Sequence, residues 1–114
     1  MADCLFCKIR DGLQPADIVY QDEQVVAFRD LRPQAPLHDL VIPREHIATL
    51  NDLGPEHREL IGHMHLVAAR LAREAGFAES GYRTVLNCNR GGGQTVFHLH
   101  LHVIGGGRFH LSGG

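Results

Sequence analysis

Residues 96–107 read VFHLHLHVIGGG, which places His98, His100 and His102 at every second position. Side chains of an extended chain alternate between faces, so the three histidines share one face. Phe97, Leu99, Leu101 and Val103 share the other, which has the composition of a core side. Three readings follow. One is the polar outer face of a half-buried strand, although Thr, Lys or Glu are the usual residues there and clustered imidazoles repel on protonation. A second is one metal site made from all three. Same-face neighbours lie ~6.6 Å apart and three positions span ~13 Å, too far to reach one tetrahedral ion easily. The third is catalytic. The central imidazole acts as nucleophile, held in one tautomer by a hydrogen bond, and its neighbours supply donors to an oxyanion.

Working outward, YRTVLN (82–87) predicts the preceding strand, and RGGGQ (90–94) a turn or binding loop. It is not a P-loop, because no Lys-Ser/Thr follows and the next element is a strand. Gly54-Pro55 opens the longest predicted helix, with Leu60, Met64, Val67, Ala68, Leu71 and Ala75 at helical spacing and Gly76 at its end. IVYQ (18–21) and VVAFRD (25–30) flank DEQ as a hairpin, and DLVIP (39–43) is a further strand that Pro43 can only end. Asp3 caps a short predicted helix from about Cys4 to Asp11, stopped by Gly12. On it Cys4 and Cys7 lie on one face. Strands grouped around two segregated helices give an α+β fold with a mainly antiparallel sheet.

The chain has 114 residues, 44% hydrophobic and 21% charged, which suits one globular domain over residues 1–114 with a tail from about 105 to 114. A formal net charge of −2 gives no strong field for nucleic acid or an anionic membrane. The N-terminal MADCLFCKIRDG lacks the apolar stretch of a signal peptide, so the expected compartment is the cytoplasm. There, three cysteines argue against a disulfide framework and for metal binding or free thiols. Nine histidines are the one unusual total.

GGQTVFHLHLHV resembles the His-φ-His-φ-His-φ signature (φ apolar) of the histidine-triad nucleotide-binding superfamily. The resemblance extends to CLFCKIRDGLQPADIVYQDEQVVAFRDLRPQAPLHDLVIPREHI and to GYRTVLNCNRGGGQTVFHLHLHVIGGG, nearly the whole chain. The Gly-Gly after the triad is similar to the HINT branch, the adenosine phosphoramidases, whereas the Fhit branch more often has proline there. The resemblance implies a five-stranded antiparallel sheet with a long helix, pairing as a homodimer into a ten-stranded sheet. It also implies binding of a purine nucleoside monophosphate and cleavage at the α-phosphorus, with no cofactor required.

Carried over by position, His100 becomes the nucleophile and His102 a phosphate contact, with Thr95 beside the departing atom. Gly93, Gln94 and Thr95 would offer backbone N–H groups to the phosphate, and Asn87 would sit near it. Asp30 matches the acid that binds the ribose hydroxyls, and Phe6, Ile9, Phe28 and Leu31 match the apolar slot for the base. His38 corresponds to a histidine that buttresses the triad. Cys4, Cys7, His46 and His98 correspond to a structural zinc site in some bacterial members, with a pair of reduced thiols as the other reading of the CxxC. Cys88 has no partner in the sequence, and His57, His63 and His65 read as a solvated helix face. Leu111 falls where some members carry an aromatic, in a tail that in the family can reach the partner's site. The expected function is hydrolysis of adenosine 5′-phosphoramidates to AMP. A dinucleoside polyphosphate hydrolase and a nucleotide-binding regulatory module are the alternatives.

Overall fold

The structure is a computed structural model that describes residues 4–107. The expectations for Leu111 and the tail around it lie outside those residues. α1 runs Leu5–Arg10, followed by β1 (Ile18–Gln21), β2 (Val25–Arg29), β3 (Leu37–Pro43), α2 (Arg58–Glu74), β4 (Tyr82–Val85) and β5 (Leu101–Gly105). The five strands form one sheet in the order β1-β2-β3-β5-β4, with every neighbouring pair antiparallel.

β3 is central, and all seven of its residues are buried. Alternate residues of the inner strands feed two cores. Val25, Ala27, Val41, Leu101 and Val103 meet α2 through Leu60, Met64, Val67 and Leu71. Val26, Phe28, Leu40 and Ile42 on the opposite face meet α1 through Phe6 and Ile9. The sheet is therefore sandwiched between the helices, with α1 as a small cover over one face.

Asp22 closes the β1–β2 hairpin by accepting from the N–H groups of Gln24 and Val25. Pro55 opens a single 3-10 turn, Pro55–His57, before α2 begins. α2 buries Ala72 and leaves the expected Ala75 exposed at its end, where Gly76 takes φ +87°. Gly106 sits so close to the helix exit that a Cβ there would lie 2.8 Å from the Phe77 ring. That close approach is the physical reason for the Gly-Gly after the triad.

Several sequence expectations are corrected. Cys4, rather than Asp3, caps α1, its Sγ accepting from the Cys7 N–H. β5 begins at Leu101 instead of residue 96, so His98 and His100 precede the ladder and only His102 lies in it. The segment before it is held by the Leu99 N–H to the Ile47 carbonyl at 2.6 Å. Phe97, expected on the core side, is 42% exposed and precedes the first residue of β5. The reading as a polar outer face, already disfavoured by composition, is excluded because Phe6 of α1 packs against His98 and His100. His57 and His63 are not on a solvated face. His57 is buried, with Nδ1 accepting from the Gly54 N–H and Nε2 facing Glu45, while His63 pairs with Asp22.

Met64 fills the α2 core at 1% exposure. Met64→Ala should cost roughly 2–5 kcal/mol. Urea unfolding should show a lower midpoint at unchanged slope.

Candidate functional site

A cavity of about 450 Å³ opens between α1, the ends of β2 and β3, and the chain leading into β5. That volume lies in the range of small-molecule sites, roughly 300–1,000 Å³. The pairing register makes its floor. Phe28 faces Leu40 and Leu40 faces His102, one residue on each of three adjacent strands. Leu5 and Phe6 of α1, Leu31 and Val96 add apolar wall, and Asp30, Arg32, Asn87, Gly93, Thr95 and His100 add polar groups.

Each triad histidine has its tautomer set by a fixed partner. The His100 Nδ1–H donates to the His98 carbonyl at 2.8 Å, because a carbonyl can only accept. Its Nε2 therefore carries a lone pair, and no described residue bonds it. His38 Nδ1 accepts from the Gln34 N–H at 3.0 Å, which puts the His38 proton on Nε2. That N–H donates to His102 Nδ1 at 2.9 Å and lies 3.3 Å from Asp30 Oδ2. His102 must then carry its own proton on Nε2, on a residue that lines the cavity. The cavity thus holds one imidazole lone pair next to one imidazole N–H, with ring centroids 5.1 Å apart.

Burial governs the charge of these rings. It pushes His102 down to about 4, helped by the neighbouring His100 and His38, and it lowers His100 as well. Both are therefore neutral at pH 7. Phe6 stands edge-on to His100 with centroids 5.1 Å apart, which excludes water from that side. Asp30 is shaped by its own turn, Oδ1 accepting from the Arg32 N–H.

Not every expected residue reaches the cavity. Ile9 is a core residue at 3% exposure and does not line it. Gln94 is buried, its side chain accepting from the Asn89 N–H and donating to the Ala48 and Val96 carbonyls. The backbone N–H of Gln94 bonds Asn89 O and that of Gly93 bonds Arg90 O, which corrects the expectation of three free donors. The Thr95 N–H alone has no bond among the described residues. Leu5, Leu40 and Val96 were missed as cavity walls. The alternation of β3 points to Leu40, two residues after His38, but no sequence signal places Val96.

A second cluster lies behind His98. Its imidazole is fully buried, and its Nε2–H donates to the Pro43 carbonyl at 2.8 Å, so Nδ1 faces inward as a lone pair. Cys4 Sγ lies 3.3 Å from that Nδ1, Cys7 Sγ 3.5 Å, and His46 Nδ1 3.2 Å; Cys7 Sγ is also 3.3 Å from His46 Nδ1. Ideal tetrahedral zinc has edges of ~3.3 Å between nitrogens and ~3.6 Å between sulfur and nitrogen, from bonds of ~2.05 and ~2.3 Å. The four ligand atoms, all within 4.8 Å of one another, fit such an ion. Burial lowers His98 to about 4, which keeps it neutral as a ligand must be. Burial and the adjacent Cys4 thiol raise Cys7 when no cation sits between them. Cys88 is a partly exposed free cysteine.

A family profile described as "Scavenger mRNA decapping enzyme C-term binding" matches residues 3–110. The chain is 51% identical over 104 residues to a purine nucleoside phosphoramidase of Escherichia coli K12, covering 91% of this chain and 87% of that one. It is similar to a HIT family hydrolase of Legionella pneumophila with TM-score 0.94 and 49% identity, covering 98% of this chain and all of that one. A zinc-bound histidine triad family protein of Mycobacterium smegmatis superposes with TM-score 0.80 at 38% identity, covering 92% of this chain and 76% of that one. With the profile spanning almost its full length and a relative at half identity, the chain belongs to the histidine-triad family.

Proposed function

We propose that this protein is a hydrolase of purine nucleoside 5′-phosphoramidates that works through a covalent nucleotidyl intermediate on His100. The observation that carries the reading is the locked tautomer of His100, whose Nδ1–H on the His98 carbonyl leaves the Nε2 lone pair in the cavity. A neutral imidazole needs no deprotonation to attack phosphorus. His100 Nε2 bonds to the α-phosphorus as the P–N bond to the leaving amine breaks, and the amine takes up a proton from solvent water as it departs. Thr95 stands at the cavity wall, where its hydroxyl can hydrogen-bond that nitrogen. Water then adds to phosphorus, the P–Nε2 bond breaks, and the nucleoside monophosphate leaves.

The neighbours suit the charge that develops. His102 Nε2–H and the Thr95 N–H donate to phosphate oxygens, and Asn87 and Gly93 border the same end of the cavity. Phe6, Phe28, Leu31 and Leu40 form the slot for the purine, with Asp30 at its rim for the ribose hydroxyls. The catalytic groups are all side chains and backbone of this chain, so the reaction is written without a cofactor. The close relation to the Escherichia coli phosphoramidase supports the choice of leaving group.

Zinc belongs in the same proposal as a structural ion. Cys4, Cys7, His46 and His98 would hold it, and bound there it supplies charge to keep both thiols ionised. Two copies of the chain are proposed to pair through β4. That edge is unbroken, whereas the β1 edge carries a register shift between Ile18 and Tyr20.

His100→Ala should lower kcat/KM for a fluorogenic adenosine phosphoramidate by at least about 10³-fold, with the melting temperature near that of the unmodified protein. Equal activity in both would remove His100 as nucleophile. Burial lowers the His100 pKa, and the neutral ring is the active one. The acid limb of the kcat/KM profile should therefore fall below pH ~6.5, the ordinary histidine value. Elemental analysis after chelator-free purification should find close to one zinc per chain, lost on Cys4→Ser; under about a tenth of an equivalent would remove the metal, given the affinity of closed sites.

A further inference from the structure

We propose that the Cys4/Cys7/His46/His98 cluster and the nucleotide cavity form one binding unit, in which zinc and a nucleoside monophosphate bind with positive coupling. The inference rests on the nucleotide site proposed above. Two connections carry it, and both are short.

The first runs through α1. Cys4 and Cys7 reach the cluster from one side of this helix, while Leu5 and Phe6 between them line the cavity. The Phe6 ring lies 5.1 Å from His100 and 6.1 Å from His98, touching both sites at once. α1 has only six residues. So short a helix has no stability of its own and depends on what holds it. Besides the burial of Phe6 and Ile9, the Arg10 guanidinium tethers it, donating to the Arg44 carbonyl at 2.7 Å. Ligating Cys4 and Cys7 fixes the helix against the sheet, and that fixes one wall of the cavity.

The second connection is His98 itself. Its ring is a ligand of the cluster, and its carbonyl accepts the proton that sets the His100 tautomer. A metal bond at His98 Nδ1 and the hydrogen bond from His98 Nε2 to Pro43 hold the residue at both ends. The carbonyl three bonds away from that ring then has little freedom to leave His100.

The sign follows from geometry. The cluster's distances already match tetrahedral edges in the arrangement that seats Phe6 on His100 and keeps the His98–His100 bond. One arrangement serves both ligands, so the first to bind bears the ordering and the second finds it done. Linkage requires the effect to be reciprocal. Couplings between sites typically amount to about 5–150-fold.

AMP is titrated by calorimetry into zinc-loaded protein and into protein stripped with a chelator. Zinc affinity is then measured by chelator competition, with and without saturating AMP. The coupling predicts tighter AMP binding to the zinc form by at least about 5-fold, and tighter zinc binding by the same factor when AMP is present. Equal AMP affinity in folded stripped and loaded protein overturns the coupling and leaves the nucleotide site standing. Absence of AMP binding in both forms overturns the nucleotide reading and the coupling with it, and failure to take up zinc also overturns the coupling. Cobalt(II) in place of zinc gives a measurement that does not need the stripped protein to fold. Saturating AMP should shift the visible cobalt–thiolate bands, and an unchanged spectrum while calorimetry records binding overturns the proposal.

Discussion

The hydrogen bond from the His100 Nδ1–H to the His98 carbonyl, 2.8 Å long, is the contact on which the site depends. A histidine ring can present either nitrogen as donor or acceptor, and a reactive centre needs that choice made in advance. A backbone carbonyl makes it irreversibly, since it cannot donate. The same logic repeats along the chain. The Gln34 N–H fixes His38, His38 fixes His102, and the Pro43 carbonyl fixes His98. The site's electrostatics are thus set by main-chain groups held in loops and strand ends, with burial keeping His98 and His102 neutral.

This dependence explains why His98 and His100 stand just outside the ladder. β5 pairs with β3 from Leu101 onward, so residues before it keep main-chain groups free of strand partners. Leu99 bonds Ile47, and the His98 carbonyl is left to accept from its neighbour two residues on. A strand continued through His98 would have committed that carbonyl to pairing. Extended backbone without a ladder preserves the alternation of faces yet leaves the carbonyl for the imidazole.

That difference also marks what the sequence can and cannot reveal. Alternation read correctly which of His98, Leu99, His100, Leu101 and His102 go together, because it depends only on extended dihedrals. It overstated the strand, because pairing depends on a partner whose register is decided far away. It could not say what covers the histidine face, because that cover, α1, comes from the opposite end of the chain. The Gln94 backbone N–H was assigned by position to phosphate, yet it bonds the carbonyl of Asn89, whose φ of 62° begins the loop that the Gln94 side chain closes. Cys4 and Cys7 were placed together by helical spacing alone. The addition of His46 and His98 came from resemblance, since no local rule joins residues this far apart in sequence.

Two clusters among the described residues contain histidines at contact distance, and proton placement separates them. In Asp30, His38 and His102 every contact has a donor and an acceptor, and His38 Nδ1 is already taken by the Gln34 N–H. A metal on His38 Nε2 would need the proton to move to Nδ1, where that N–H points. The group is therefore complete as a hydrogen-bonded relay. In Cys4, Cys7, His46 and His98 the Pro43 carbonyl holds the only His98 proton on the outer nitrogen. The inner nitrogen then faces two sulfurs and a second Nδ1 across 3.2 to 3.5 Å. Lone pairs converging at that distance with no fixed donor among them are the arrangement a cation satisfies. Equal spacing thus supports opposite conclusions, and the backbone groups behind each ring decide between them.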